Sequence, residues 1–153
     1  MAIRTNYYEL APKAIKILMA QEDYLATQFN TSATLTQGIW ELVKLRVSQI
    51  NQCAYCIDMH SKDLLHNGES VERIIGLNAW RDMPCYSDIE KAALAWSEHI
   101  TAAQSVDDNV YQRHVQQLGE QALLDLTLAV NAINSWNRVA KTFKPDVGSY
   151  KAR

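Results

Sequence analysis

Apolar residues recur at three- and four-residue intervals along most of the chain, which is the spacing of amphipathic α-helices. No segment shows the strict alternation that is typical of a half-buried strand. The pattern therefore predicts an all-α protein, a bundle of about six to seven helices. The predicted helices cover approximately residues 8–29, 34–50, 53–67, 70–80, a helix opening at residue 87, 107–118 and 120–143.

Polar residues and proline mark several of the predicted helix ends. Pro12 falls in the first turn of the first helix, where no N–H donor is required. Thr34-Leu-Thr-Gln37 and Ser87-Asp-Ile-Glu90 have the form of capping boxes, so each is expected to begin a helix. Ser70 is expected to cap a helix that runs through Trp80.

Composition limits the classes of function that the chain can serve. Its 153 residues include only 5 Gly and 3 Pro, and no repeat or linker divides them, so we expect one domain over residues 1–153. The formal net charge of −2 gives no electrostatic reason to expect a nucleic acid or an anionic membrane as partner. Apolar runs are too short for a membrane span, and residues 1–6 lack a signal-peptide core. The expected compartment is the cytoplasm.

The three cysteines are Cys53, Cys56 and Cys85, an odd number that does not suit a secreted disulfide scaffold. In a reducing compartment, a close cysteine pair is more often catalytic, redox-active or metal-binding than a permanent cross-link. Cys85 follows Met83-Pro84 in a predicted loop, and we expect it to be structural or incidental. The chemistry is therefore expected at Cys53 and Cys56.

Cys53, Cys56 and His60 are predicted to share one face of the third helix, because residues three and four apart are neighbours there. Both cysteines would fall in its first turn, where unpaired N–H groups and the helix dipole favour a thiolate. An ordinary cysteine has a pKa of about 8.5, so a nearby base would increase its reactivity at neutral pH. Such a pair is equipped for peroxide reduction or disulfide exchange.

Glu41 is the fourth candidate for this site. It lies twelve residues before Cys53, inside the second predicted helix and among apolar neighbours. If that helix packs against the third, Glu41 faces the cysteine pair. A carboxylate in that place can accept a proton from His60 or from a thiol.

Glu41 followed by Cys53-x-x-Cys56-x-x-x-His60 resembles the active-site signature of the carboxymuconolactone decarboxylase and alkylhydroperoxidase D-like (AhpD-like) family. The sequence from Glu41-Leu-Val-Lys-Leu-Arg46 to His60-Ser-Lys62-Asp63 is similar to that family throughout. Three later segments also resemble the cysteine-containing, single-domain branch of that family: residues 77–81, 90–96 and 134–138.

The resemblance implies an AhpD-like helical bundle and a thiol-dependent peroxidase. Cys56 would be the peroxide-attacking thiol, Cys53 its resolving partner, and Glu41 with His60 a proton relay. The implied partners are a hydroperoxide substrate, an external dithiol or thiol-protein reductant, and identical chains in a trimer or hexamer. No cofactor and no metal are expected, because the sulfur atoms themselves carry the two electrons.

Tyr55 departs from the family's pattern. The peroxidases of the family carry a second histidine here, directly before the peroxidatic cysteine. A tyrosine, with a pKa of about 10, is not a base near neutral pH, so less acid–base assistance is implied. Members that decarboxylate lactones generally lack the cysteine pair, which disfavours that activity for this chain.

Other interpretations of the cysteine pair stay open. With His60 and Glu41 it reaches the four ligands of a structural zinc site, and buried cysteines can also be plain apolar side chains. The same sulfur chemistry would serve a dithiol–disulfide oxidoreductase or a stress-linked thiol relay with little peroxidase activity. A non-catalytic oligomeric binding module is the alternative from another class.

The other histidines, the amides of the last helix and the tryptophans are expected to have structural roles. His66 suits the C-terminal end of a helix, whereas His99 and His114 have no chemical partner in sequence. The amides of residues 131–138 lie in an otherwise apolar helix, so we expect them to bond to other helices or to another subunit. Core or interface anchors are expected at Trp40, Trp80, Trp96 and Trp136.

Overall fold

The structure is a computed structural model of the chain and describes residues 3–152. Within that range it contains eight α-helices, one 3₁₀ turn and no strand, which confirms the all-α prediction. No helix in this range combines the length and the apolar content that crossing a membrane requires. The helices are α1 (Tyr7–Leu10), α2 (Pro12–Thr31), α3 (Gln37–Ile50), α4 (Ala54–His66), α5 (Val71–Gly76), α6 (Asp88–Thr101), α7 (Asp108–Leu118) and α8 (Glu120–Phe143).

The first predicted helix is divided in two. α1 is a single turn, the backbone leaves helical geometry at Ala11, and Pro12 is the first residue of α2. Proline suits this place because the first N–H groups of a helix have no partner within it. It also disfavours helical geometry at the residue before it. The prediction of one continuous helix from Tyr8 was therefore wrong at Ala11.

The start of α3 was also predicted two residues too early. Its N-cap is Thr36, whose side chain accepts a hydrogen bond from the N–H of Ile39, and not Thr34. The N–H of Leu35 bonds to Ser32 Oγ at 2.9 Å, and the Leu35 side chain is buried in the core. This turn keeps the preceding residues out of the helix.

The helix that Ser70 caps ends earlier than predicted. α5 stops at Gly76 and tightens into the 3₁₀ turn Leu77–Ala79. Met83 packs closely at this point, since a Cβ on Gly76 would lie 2.5 Å from its Cε atom. Glycine is also a poor helix former. By contrast, the capping box of Ser87-Asp-Ile-Glu90 is present as predicted.

α3 is the central helix of the bundle. It contacts α2, α4, α6 and α8, and its residues Val43, Leu45 and Val47 are fully buried. A charged residue on α3 is therefore surrounded by other helices, where an ion pair must replace its contact with water. Three of the four tryptophans are buried in this core and the fourth is half-buried, as expected for core anchors.

The turn between α3 and α4 places the cysteine pair. Gln52 has a left-handed backbone with φ of +55°. The N–H of Gln52 donates to the carbonyl of Gln49 at 3.1 Å, and the N–H of Cys53 donates to the carbonyl of Ser48 at 3.0 Å. This Schellman motif ends α3, and Cys53 is at the same time the N-cap of α4. The pair thus lies directly at the junction of the two helices.

Buried amides of α8 hold this turn in place. Asn51 Nδ2 donates to the Oδ1 atoms of Asn134 and Asn137, each at 2.9 Å. Asn137 Nδ2 donates to Ser48 Oγ at 3.1 Å, and Lys141 Nζ donates to the carbonyl of Asn51 at 2.6 Å. The prediction that these amides bond to other helices is confirmed, and α8 is fixed to the residues just before the cysteines.

The C-terminal segment lies along α4. Lys62 Nζ donates to the carbonyls of Gly148 at 3.2 Å and Tyr150 at 3.0 Å. The hydroxyl of Tyr150 donates to Asp63 Oδ1 at 2.8 Å. These bonds anchor the segment on the helix that carries the cysteines.

Candidate active site

Cys53 and Cys56 form a disulfide across the start of α4, with their Cα atoms 5.3 Å apart. Cys53 is the N-cap and Cys56 the third residue of the helix. Both are buried and pack against Ala140 of α8. When the pair is reduced, the unpaired N–H groups of the first turn favour a thiolate at this place.

Glu41 and His60 are in direct contact. His60 Nδ1 lies 3.0 Å from Glu41 Oε2, so the packing of α3 on α4 brings these two predicted site residues together. The other carboxylate oxygen is paired with the ammonium group of Lys44, one turn further along α3. That ammonium also lies 3.9 Å from the ring centre of Trp40, a cation–π contact.

The pKa of Glu41 is set by these partners. Burial by itself would raise the pKa, but the hydrogen bond from His60 and the charge of Lys44 outweigh it and lower the pKa to about 2. Glu41 is therefore an anion at neutral pH, and Nδ1 of His60 carries the hydrogen that it accepts. In the neutral imidazole, Nε2 is then the nitrogen that can accept a proton.

Nε2 of His60 is buried and has no hydrogen-bond partner among residues 3–152. Buried polar atoms without a partner are rare in folded proteins, and they often belong to a catalytic or ligand-binding group. Side chains on a helix lean towards its N-terminus, so His60 leans towards Cys56, one turn earlier on α4. His60 and Cys56 therefore lie on the same face of α4 and line the same cavity.

Two cavities reach the disulfide, one lined by Cys56 and the other by Cys53. The cavity at Cys56 has a volume of about 300 Å³, and its lining includes His60, Met59, Ile133 and Trp136. The cavity at Cys53 has a volume of about 410 Å³, and its lining includes Tyr55, Lys141 and Lys144. Ala140 contributes to both walls. We call them the Cys56 cavity and the Cys53 cavity.

Three charged residues that line the Cys56 cavity, Glu22, Lys44 and Asp63, were not assigned to the site from the sequence. Glu22 lies on α2, three residues before the buried Leu25 and seven after the buried Ile15. This spacing places Glu22 on the stripe of α2 that faces the core, where an apolar residue is normal. A charged residue on the apolar stripe of a helix is the signal that would have identified it.

Tyr55 lines the Cys53 cavity and is half-buried. Burial raises its pKa, and the nearby Tyr8 and Asp58 raise it further. The phenol therefore keeps its proton at neutral pH and cannot act as a base for the cysteine pair. The departure from the family's second histidine thus leaves His60 as the histidine of this site within the described residues.

Cys85 and the other histidines lie away from the pair. Cys85 is a free thiol that packs against the main core, apart from the cluster formed by Cys53 and Cys56. His66 is exposed in the last turn of α4. His99 and His114 each contact a backbone carbonyl, and both rings lie beside Trp96.

The zinc site that the sequence left open would use the cysteine pair with Glu41 and His60. Glu41, His60 and Asp63 each offer one ligand atom, and these atoms lie within 4.8 Å of one another. Glu41 is already paired with Lys44 and with Nδ1 of His60, and Asp63 accepts a bond from Tyr150. The two sulfurs are bonded to each other rather than present as thiolates. The four-ligand zinc site is therefore not assembled in this disulfide form.

Glu41→Gln is expected to make folding less sensitive to acid. A carboxyl whose pKa falls from 4.5 to about 2 on folding stabilises the protein above pH 4.5, and this stabilisation is lost as the pH falls towards 2. This lowering of the pKa corresponds to about 3 kcal/mol of unfolding free energy at neutral pH. Urea denaturation at several pH values between about 6 and 3 should therefore show a steeper loss of unfolding free energy for wild type than for the variant.

Glu72→Gln, which changes an exposed glutamate on α5, is the matched control and should keep the acid sensitivity of wild type. If Glu41→Gln loses unfolding free energy with pH as steeply as wild type does, the ionised Glu41–His60–Lys44 cluster is not what stabilises this site.

The bundle and its paired cysteines define an AhpD-like all-α protein. Residues 20–99 match the sequence profile of the carboxymuconolactone decarboxylase family, and the chain belongs to that family. The family and the close cysteine pair are consistent with an antioxidant function.

Relatives and solved structures agree with this assignment. The uncharacterized protein YdfG of Bacillus subtilis is 44% identical over 142 residues, which are 92% of this chain and 93% of the relative. The crystal structure of ATU0492 from Agrobacterium tumefaciens, provisionally described as an antioxidant defence protein AhpD, is 34% identical, with a TM-score of 0.82 over 99% of both chains. An uncharacterized peroxidase-related protein from Silicibacter sp. TM1040 has a TM-score of 0.80 over 93% of this chain and 74% of its own. At 17% identity, that likeness shows the fold alone.

Proposed function

We propose that the protein is a thiol-dependent peroxidase that reduces hydroperoxides through Cys56 and Cys53. The observation that carries the proposal is that Cys56 and His60 line one cavity while Nε2 of His60 is buried without a partner. The anionic Glu41 holds the opposite side of the imidazole at 3.0 Å. A nucleophile, a base and a cavity large enough for a small substrate therefore meet at one place.

The oxidative half of the reaction takes place at Cys56. His60 accepts the thiol proton, and the thiolate attacks the outer oxygen of the hydroperoxide. The S–O bond forms as the O–O bond breaks, so Cys56 becomes a sulfenic acid and an alcohol leaves. The thiol of Cys53 then attacks the Cys56 sulfur, which gives the Cys53–Cys56 disulfide and water. The hydroperoxide gains the two electrons that the cysteine pair loses.

The reductive half begins at Cys53. An external dithiol enters the Cys53 cavity, and its thiolate attacks Cys53 Sγ and releases Cys56 as a thiolate. The second thiol of the reductant then frees Cys53. Lys141 and Lys144 on the wall of that cavity favour an anionic thiol. An assembly of identical chains, a trimer or hexamer, is part of the same proposal.

A dithiol–disulfide oxidoreductase is the second candidate. The separate Cys53 cavity favours it, because a thiol partner can reach the pair without entering the cavity of His60. Tyr55 favours it as well, since the histidine that assists peroxide cleavage in related proteins is missing. This function predicts faster reaction with disulfides than with hydroperoxides at equal concentration.

Thiol counting tests the proposed function. The fully reduced protein has three thiols, and one equivalent of an organic hydroperoxide should remove two of them and leave Cys85. Cys85→Ser should start with two thiols and end with none. If all three thiols persist while an added disulfide still oxidises the pair, the oxidoreductase is the better assignment. If neither oxidant removes thiols, a binding role is favoured.

A further inference from the structure

Glu22 lies on the wall of the Cys56 cavity, and the reaction described above does not use it. Trp136 Nε1, on α8, donates a hydrogen bond to Glu22 Oε1 at 2.9 Å. Among the described residues, no hydrogen bond involves the other oxygen, Oε2. α8 therefore fixes the carboxyl group by one oxygen, and this residue of the cavity wall keeps its second oxygen without a hydrogen bond among the described residues.

The groups around Glu22 differ from those around Glu41. Burial raises the pKa of Glu22, and the charge of Lys44 and the hydrogen bond from Trp136 reduce this rise without cancelling it. The pKa of Glu41, by contrast, is lowered to about 2. Besides Glu22 and the Cys56 thiol, the charged or titratable groups that line the cavity are Lys44, His60, Asp63, Tyr7 and Tyr8.

The site thus holds two carboxyl groups whose pKa values move in opposite directions. In enzymes, such a separation assigns the group with the raised pKa to donate a proton and the other to remain an anion. Glu41 already has the anionic role behind His60. Glu22 has the properties of the donor, and it reaches the cavity from the α2 side rather than from α4.

Cleavage of a hydroperoxide needs such a donor. The O–O bond breaks to leave an alkoxide, which is a strong base and a poor leaving group unless it is protonated as it departs. His60 lies on α4, one turn from Cys56, and takes up the proton of the attacking thiol there, whereas Glu22 reaches the cavity from α2. Tyr55 stands where related peroxidases have a second histidine, so Glu22 offers a proton that the missing histidine does not supply.

We propose that Glu22 is a catalytic residue that donates a proton to the leaving oxygen of the hydroperoxide. The step is balanced: the Cys56 thiolate, the hydroperoxide and the Glu22 carboxylic acid give the Cys56 sulfenic acid, an alcohol and the Glu22 carboxylate. Glu22 recovers its proton from water when the alcohol leaves. This assignment rests on the proposed peroxidase function and extends it to the second proton transfer.

Glu22→Gln is the variant that tests this role. Glutamine keeps the shape of the side chain and an oxygen that accepts the Trp136 bond, but it has no acidic proton. The rate at which tert-butyl hydroperoxide oxidises the reduced protein, followed in a single turnover without reductant, should fall by about a hundredfold. When peracetic acid is the oxidant, the leaving group is acetate, a weak base that needs no proton, so the rate of Glu22→Gln with this oxidant should stay within about threefold of the wild-type rate.

Two further variants separate the chemical role from a structural one. Glu22→Asp retains an acidic proton and should recover part of the rate with tert-butyl hydroperoxide. Asp23→Asn, at the exposed neighbouring position on α2, should react with both oxidants like wild type. The melting temperature of Glu22→Gln should be unchanged or higher, because the buried carboxyl ionises less readily than it does in the unfolded chain, and this difference favours unfolding at neutral pH.

The outcomes distinguish failure of this inference from failure of the proposed function. Equal slowing with both oxidants, or no slowing with either, overturns the role of Glu22 as proton donor. If wild type itself reacts with neither oxidant, the proposed peroxidase function fails before Glu22 is considered.

Discussion

Cys56→Ser is expected to reduce hydroperoxide consumption to the rate seen without protein. In the proposed reaction the Cys56 thiolate is the nucleophile, and a serine hydroxyl at this position neither ionises near neutral pH nor accepts the oxygen of a hydroperoxide. Cys56 is also the cysteine that lines the cavity of His60. The measurement is consumption of an organic hydroperoxide in the presence of a dithiol.

Cys53→Ser should fail at a later stage. Cys56 can still attack the hydroperoxide, but no neighbouring thiol condenses with the sulfenic acid. Without reductant, this variant should consume about one equivalent of hydroperoxide and retain a sulfenic acid on Cys56, which a carbon nucleophile labels for mass spectrometry. Wild type should give the disulfide instead.

Cys85→Ser is the matched control for both variants, because Cys85 packs in the main core away from the pair. It should consume hydroperoxide at the wild-type rate. If the Cys53 variant is inactive in the first step and the Cys56 variant forms a sulfenic acid, the roles of the two cysteines are reversed. If all three variants consume hydroperoxide as wild type does, the cysteine pair is not the active site.

His60→Gln should slow the first oxidation of the reduced protein by about 10²- to 10⁴-fold at neutral pH, the usual contribution of a general base. Nε2 of His60 is the buried nitrogen without a partner, and Glu41 holds the other nitrogen at 3.0 Å. Glutamine preserves a polar side chain but provides no base. Stopped-flow tryptophan fluorescence or thiol titration follows this step.

The pH dependence identifies the chemical role of His60. A base that ionises the thiol is no longer needed once the pH exceeds the pKa of an ordinary cysteine, about 8.5. The difference between wild type and His60→Gln should therefore shrink as the pH rises above that value. His66→Gln, exposed on the same helix, should match wild type throughout. A difference that stays constant with pH would indicate a structural role for His60.

Local signals were sufficient for most of the helices. The capping box at Ser87 and the glycine at Gly119 act within one turn of the backbone, so their helix ends could be predicted. The helix ends that were predicted at the wrong residue depend on contacts that the local sequence pattern does not show. Burial of Leu35 keeps Thr34 in a turn, and close packing of Met83 at Gly76 shortens α5. Such packing is not visible in the spacing of residues.

Within the site, the distance along the chain separates what could be predicted from what could not. Cys53, Cys56 and His60 belong to one helix and its cap, so the period of the α-helix alone places them together. Glu41 lies 19 residues from His60, and their contact depends on how α3 packs on α4. It was proposed because of the family resemblance, with the packing as a condition.

The sequence by itself determined most of the helices, the helix-start position of the cysteine pair and the histidine one turn later, because each follows from contacts between residues a few positions apart. Only the tertiary structure decided that Trp136 meets Glu22 across 114 positions, and that Cys56 and Cys53 line separate cavities. The physical reason is that burial and ion pairing depend on which helices pack together. The pKa values of Glu22 and Glu41 therefore move apart only once α2, α3, α4 and α8 have assembled.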